Sequence, residues 1–221
     1  MGRLARSLVA VLTVISVVPD QQAHTLTLTA QYAAPVEDVW QLWADPRQLE
    51  RWWGPPTYPV ATVLDHDLSV GGRVRYVMTG PAGDQHAGWW RLAAVAAPTG
   101  LEFDDGFGDP DAPSPSLPVS RTRVTISDVG GGVTRMVLAT SFPSAEAMDQ
   151  LLAMGMREGL TAAVDQTDDL LAGAPRRQRR RRSSCANSAG PVPAATTTTG
   201  PRVRRPGPPR YRGWRRRWIS A

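Results

Sequence analysis

"SAEAMDQLLAMGMREGLTAAVDQTDDLLAG", residues 144–173, is the stretch on which the fold turns. Ser144 suits an N-cap, because its hydroxyl can accept from the unpaired amides of a first helical turn, and Gly173 suits a stop. At 100° per residue, Met148, Leu152, Met156, Leu160, Ala163, Val164 and Leu170 gather on one side. Gln150, Arg157, Thr161, Asp165 and Asp168 gather on the other, so the spacing predicts one long amphipathic helix. Gly155 and Gly159 interrupt the apolar stripe, where glycine is about 1 kcal/mol worse than alanine. Two reasons for them stand open: close contact with a sheet, or space left for a guest.

A helix with one apolar side needs an apolar surface to cover, and the preceding chain supplies strands. "HTLTLTAQY" (24–32) alternates leucine with threonine, the period of a half-buried strand. Further strand-like runs fall at 59–64, 73–80, 88–95, 101–103, 121–129 and 134–142, separated by "VGG", "GPAGD", "APTG" and "GGG". Such short turn signals join antiparallel neighbours. In "RVRYVMTG", Val74, Tyr76 and Met78 face away from Arg73, Arg75 and Val77; in "GWWRLAAV", Trp89 and Trp90 point to opposite faces and Trp90 travels with Leu92 and Ala94. "DDGFGDPDAPSPSLP" (104–118) reads as a loop resembling a mobile lid. Its four aspartates do not match a calcium loop and read as solvated.

Between the first strand and the rest lies "APVEDVWQLWADPRQLERWW" (34–53). Pro35 suits a first turn, Glu37 and Asp38 favour the helix dipole, and Val36, Val39, Trp40 and Trp43 share a face. Asp45-Pro46 breaks this helix, and a second short one ends at Trp52-Trp53 before Gly54-Pro55-Pro56. A strand, two short helices, an antiparallel run and a long helix define an α+β protein with few available folds. One is the helix-grip arrangement, a curved sheet wrapped around a long C-terminal helix.

The motifs "WWGPP", "GGRVRYVMTGPAGDQHAGWW", "GGVTRMVLATSF" and the glycine-bearing helix closely resemble the START-like (SRPBCC) family named for the activator of heat-shock protein 90 ATPase, over about residues 24–172. The resemblance implies a cavity between sheet and helix that holds a small apolar molecule such as a lipid, sterol or polyketide, with no cofactor. It implies that Trp52 and Trp53 close the mouth of the sheet. It also implies a ligand-binding wall drawn from Trp53, Tyr76, Met78, Trp90, Phe103 and Met136, completed by Phe142, Leu152 and Met156. Family members include carriers, polyketide cyclases and the chaperone activator, so a cyclase-like enzyme and a chaperone partner are alternatives, and a homodimer is a further possible partnership. The activator carries a separate domain ahead of its START-like domain that this chain has no room for, which counts against chaperone activation.

No nucleophile, zinc-binding or phosphate-loop motif is present, so catalytic residues are not assigned. Were the chain a cyclase, Tyr76, Arg75, Glu102 and His86 are the polar groups that could steer a proton; charge ladders on an outer strand face explain the same residues more simply. His24, His66 and His86 have no paired-ligand spacing, and "DHD" (65–67) reads as a solvated loop end, not a metal site.

Charge divides the chain. Lysine is absent; residues 1–172 hold 11 Arg against 20 acids, and from Gly173 onward there are 14 Arg and no acid, for +5 overall. The lone Cys185 excludes a disulfide framework and fits a cytoplasmic setting. Residues 173–221 have no apolar period and read as a disordered Arg/Pro-rich tail. It could grip nucleic acid through its arginines with Tyr211, Trp214 and Trp218, lie on the acidic body, or reflect a GC-rich gene read out of frame. Residues 1–23 read as a lead-in, either a strand extension or a weak signal-like segment too short to span a bilayer.

Overall fold

The computed structural model describes residues 14–113 and 116–173. The strands are β1 (Val14–Asp20), β2 (Thr25–Tyr32), β3 (Val60–His66), β4 (Arg73–Thr79), β5 (Gln85–Ala96), β6 (Gly100–Asp109), β7 (Ala112–Pro113), β8 (Ser120–Asp128) and β9 (Thr134–Ser141). They pair antiparallel in the order β1-β2-β9-β8-β6-β5-β4-β3, with β7 paired to β6. The helices are α1 (Val36–Ala44) and α2 (Pro46–Trp52) between β2 and β3, and α3 (Ala145–Ala153), α4 (Met156–Asp165) and α5 (Thr167–Gly173) after β9. A curved antiparallel sheet gripped by C-terminal helices is the α+β helix-grip fold.

The alternating strands fold as their period requires. In β2 every second residue, from Leu26 to Tyr32, is buried, and β8 and β9 alternate in the same way. The buried side chains of β2, β9, β8, β6, β5 and β4 form one continuous inner face, because the registers place Leu28 opposite Leu138, Leu138 opposite Val124, and Val124 opposite Leu101. Two expectations fail here. A bulge in β5 between Leu92 and Ala94 reverses the parity, so Ala94 is exposed while Val95 packs on the core. The stretch expected to be a lid is strand as far as Asp109, because residues 104–107 find partners on β5, on β8, or on both.

The expected single helix is three segments. Gly155 adopts φ +86°, a left-handed conformation that ends α3 and starts α4, and no single helical phase runs through 144–173. Sheet contact explains neither glycine. A β-carbon on Gly155 would meet no atom within 4 Å, and one on Gly159 would meet only Pro55 Cγ at 4.0 Å. Gly155→Ala is therefore expected to destabilise by about 1–2 kcal/mol, the strain of a left-handed alanine. Gly159→Ala, inside α4, is expected to stabilise by about 0.5–1 kcal/mol. Urea unfolding of the two variants checks the opposite signs.

The described residues fall within one compact unit; residues 174–221, and with them nearly all of the basic tail, lie outside the described residues. Of the lead-in over residues 1–23, residues 1–13 lie outside them too, while Val14–Asp20 form β1 and pair with β2. No helix among the described residues is long and apolar enough to cross a membrane.

Candidate functional site

Asp45 positions the aromatic end of the site. It ends α1 and caps α2, its side chain accepting from the Arg47 amide while Pro46 occupies the first helical position. That short helix carries Trp52 and Trp53 inward. Trp52 has no exposed surface, donates its indole N–H to the Leu42 carbonyl at 2.9 Å and stands edge-on to Trp43 at 4.9 Å. Trp53 remains half-buried, edge-on to Trp90 at 4.6 Å and 6.0 Å from Tyr76. From the C-terminal helices, the Gln166 side chain donates to the carbonyls of Trp52 (3.2 Å) and Gly54 (2.8 Å), tying the end of α4 to the turn. Thr167 pairs with the buried Tyr32 hydroxyl at 3.0 Å and fixes α5 to β2.

The inner face beneath this end is not uniformly apolar. Two apolar clusters occupy it, and Val17 at the margin packs against both. The larger contains Trp43, Trp52, Trp90, Phe103 and Met136; the smaller contains Leu26, Phe142, Met148 and Leu151. The strand registers place polar residues on the same inner face: Tyr76 on β4, Asp105 on β6, Ser120 and Thr122 on β8, and Thr140 on β9. Thr122 and Thr140 satisfy one another at 2.9 Å. Trp53 and Met78, packed against the larger cluster, and Phe107, Leu152 and Met156, packed against the smaller, are each half-buried instead of fully packed.

Among these polar residues, Tyr76 and Asp105 form a pair across β5, the tyrosine hydroxyl standing 3.5 Å from Asp105 Oδ1. Gly88 is the partner of Tyr76 on β5, and a β-carbon there would collide with the tyrosine ring. Burial raises the Asp105 pKa to about 7, against the opposing pull of the Tyr76 hydroxyl and the Trp90 indole N–H, which favour the carboxylate. Of these donors only Tyr76 reaches hydrogen-bonding distance; the Trp90 N–H is buried with no partner at that geometry. Burial, reinforced by the Asp105 charge, pushes the Tyr76 pKa well above its ordinary value.

The nine expected wall residues divide between the clusters. Tyr76, Trp90, Phe103 and Met136 belong to the larger, with Trp53 and Met78 packed against it; Phe142 belongs to the smaller, with Leu152 and Met156 beside it. Trp90, Phe103 and Met136 have no exposed surface; Trp90 stacks on Phe103 at 4.5 Å, and Met136 Sδ accepts from the Trp43 indole at 3.3 Å. Of the four polar candidates only Tyr76 faces deep into the sheet. Arg75 pairs with Asp65, Glu102 pairs with Arg123 at 2.7 Å on the outer face, and His86 lies 3.2 Å from Asp84 under the Tyr58 ring. Asp105, expected to be solvated, instead lies half-buried on the inner face. Its burial was visible in the alternation Leu101, Phe103, Asp105, Phe107, which continues the inner face through the supposed loop. Among the described residues no cluster of metal-ligating side chains forms.

A sheet-and-helix interior of this kind defines a START-like domain, and comparison with known proteins gives the family. The family described as Activator of Hsp90 ATPase homolog 1-like protein matches residues 33–172, and the chain belongs to it. Protein Ms6760 from Mycobacterium smegmatis is 48% identical, with 73% of this chain and 99% of that one covered and a TM-score of 0.66. A protein from Arthrobacter aurescens is 42% identical over 77% of this chain and 100% of that one, with a TM-score of 0.69. The AHSA1 protein from Silicibacter pomeroyi shares the fold at 22% identity, covering 67% of this chain and 97% of that one, with a TM-score of 0.54. No curated protein matches the chain.

Proposed function

We propose that this protein binds a small hydrophobic molecule between the inner face of the sheet and its C-terminal helices, beside Trp53, Met78, Leu152 and Met156. One observation carries the reading: the interior is divided into two apolar clusters, and Trp53 and Met78 beside one, with Phe107, Leu152 and Met156 beside the other, stay half-buried. Protein interiors pack at crystal density, so incompletely covered aromatic and methionine side chains beside the two clusters are where a guest gains contacts. Methionine suits such a wall, since its flexible thioether adapts to irregular shapes. Family membership supports the same reading at the level of an apolar-ligand-binding domain.

Two measurements test it. Native mass spectrometry of the purified chain is expected to show a mass beyond the polypeptide that vanishes on denaturation. In parallel, an apolar naphthalene probe is expected to quench tryptophan fluorescence saturably, and Leu152→Trp to weaken that binding at least about tenfold, a loss of about 1.4 kcal/mol, with the unfolding midpoint little changed. Were the interior solid, the added indole would destabilise the fold by about 1–3 kcal/mol through overpacking, and no probe would bind. That pair of results would overturn the proposal.

A further inference from the structure

Asp105 occupies a place where a charge is hard to keep. It lies on the inner face of β6, opposite Trp90 on β5 and Ser120 on β8, between Phe103 and Phe107 along its own strand. From β4 the Tyr76 hydroxyl approaches it, and from the turn after α2 the Trp53 ring packs on Trp90 and Tyr76. On the outer face Glu102 and Asp104 of β6 pair with Arg121 and Arg123 of β8. His86, toward the start of β5, is engaged with Asp84, and Arg157 and Glu158 of α4 are exposed. Among the described residues no arginine is paired with this carboxyl.

An acid in apolar surroundings without a cation is most stable in its neutral form, and a neutral carboxyl is a donor. With Oδ1 facing the Tyr76 O–H, two donors remain to be offered: the carboxyl's own O–H and the buried Trp90 N–H that has no partner. Such a wall is complementary to an acceptor on the guest. Access distinguishes the roles within the pair, because Asp105 is half-buried whereas Tyr76 is 3% exposed. The carboxyl is the group a ligand reaches, and the tyrosine positions it.

Resting on the apolar-ligand reading above, we propose that Asp105, protonated and positioned by Tyr76, donates a hydrogen bond to the carbonyl oxygen of a ketone-bearing apolar ligand. The elevated Asp105 pKa, about 7, accords with this and supplies a pH dependence. The ketone is held while the proton is present and released as the pH rises through that value. In the ionised state the carboxylate repels the carbonyl oxygen.

Three matched probes test the proposal with the full chain: 2-acetylnaphthalene, 2-ethylnaphthalene and 1-(2-naphthyl)ethylamine, titrated by tryptophan quenching at pH 6 and pH 8.5. The ketone is expected to bind about tenfold more tightly than the hydrocarbon at pH 6, the worth of one buried hydrogen bond, and to lose that margin at pH 8.5. In Asp105→Asn, whose amide donates at every pH, the margin is expected to persist at both. In Asp105→Leu it is expected to vanish while the hydrocarbon still binds. Tyr76→Phe removes a donor that favours the carboxylate, so the pH at which the ketone is lost is expected to move upward; an unmoved midpoint overturns the positioning role. Equal binding of ketone and hydrocarbon at pH 6, or preference for the amine, overturns the inference and leaves the proposed function standing. Failure of all three probes to bind overturns both.

Discussion

Trp43→Ala is expected to lower the unfolding free energy by about 3–5 kcal/mol, the range for deleting a large buried ring. Trp43 has no exposed surface and lies within 6.2 Å, centroid to centroid, of Trp52, Trp53, Trp90 and Phe103. The void left behind cannot close easily, because its neighbours are each held by something else. Trp52 is tied to the Leu42 carbonyl, Phe103 is stacked on Trp90, and Met136 loses the indole donor to its sulfur. Whole domains are stable by only about 5–15 kcal/mol, so the variant sits near the edge of folding. Urea unfolding with an unchanged m value checks the loss. Val70→Ala, at a residue 70% exposed, serves as the comparison and is expected to stay within about 0.5 kcal/mol of the native chain. A Trp43→Ala loss below 1 kcal/mol would show that α1 is not the centre of the core.

The same tryptophan shows why much of the fold could be read in advance. A ring on the apolar face of a helix, two residues before an Asp-Pro break, has few places to go once a sheet is present. Alternation was equally legible in β2, β4, β8 and β9, where period two depends only on neighbours in the chain. What escaped the reading depends on distant partners. The Leu92–Ala94 bulge shifts β5 against β6, and nothing local in "RLAAV" marks which alanine is the extra residue. Gly155 reads in the sequence as a costly glycine inside one continuous helix, although its left-handed backbone divides α3 from α4. Residues 104–109 looked like a loop because aspartate and glycine are dense there, yet pairing with β5 and β8 extends the strand over composition that alone disfavours it. The candidate site suffered the same way. Parity assigns Tyr76 and Phe142 to one inner face, but only the registers show that they belong to different clusters, with Asp105 among the polar residues of that face.

Asp105→Asn is expected to stabilise the protein at pH 8 and to leave it unchanged near pH 4. The folded pKa of about 7 lies above the ordinary value of 3.8 because burial disfavours the charge. Below about pH 4 both the folded and the unfolded chain hold the proton, and the residue contributes no pH dependence. Between about pH 4 and 7 the unfolded chain loses it first, so the folded state binds more protons and its stability falls as the pH rises. Above about pH 7 both states are ionised and the loss is complete. At 1.36 kcal/mol per pKa unit the full effect is on the order of 4 kcal/mol, reduced by whatever solvent reaches the half-buried carboxyl, so a gain of about 2–4 kcal/mol is expected at pH 8. Asparagine leaves an amide oxygen to accept from Tyr76 and cannot ionise, so the difference between native and variant isolates this one group. The exposed carboxylates Asp67 and Glu146, whose pKa values are lowered by hydrogen bonds, contribute in the opposite direction but equally to both chains and cancel. Urea midpoints from pH 4 to pH 8 decide the matter: a native–variant difference that stays flat across the range would place Asp105 in solvent. A difference that opens between about pH 4 and 7 would mean that the fold tolerates a destabilising acid on its inner face, which is what a residue kept for contact with a guest, and not for stability, would do.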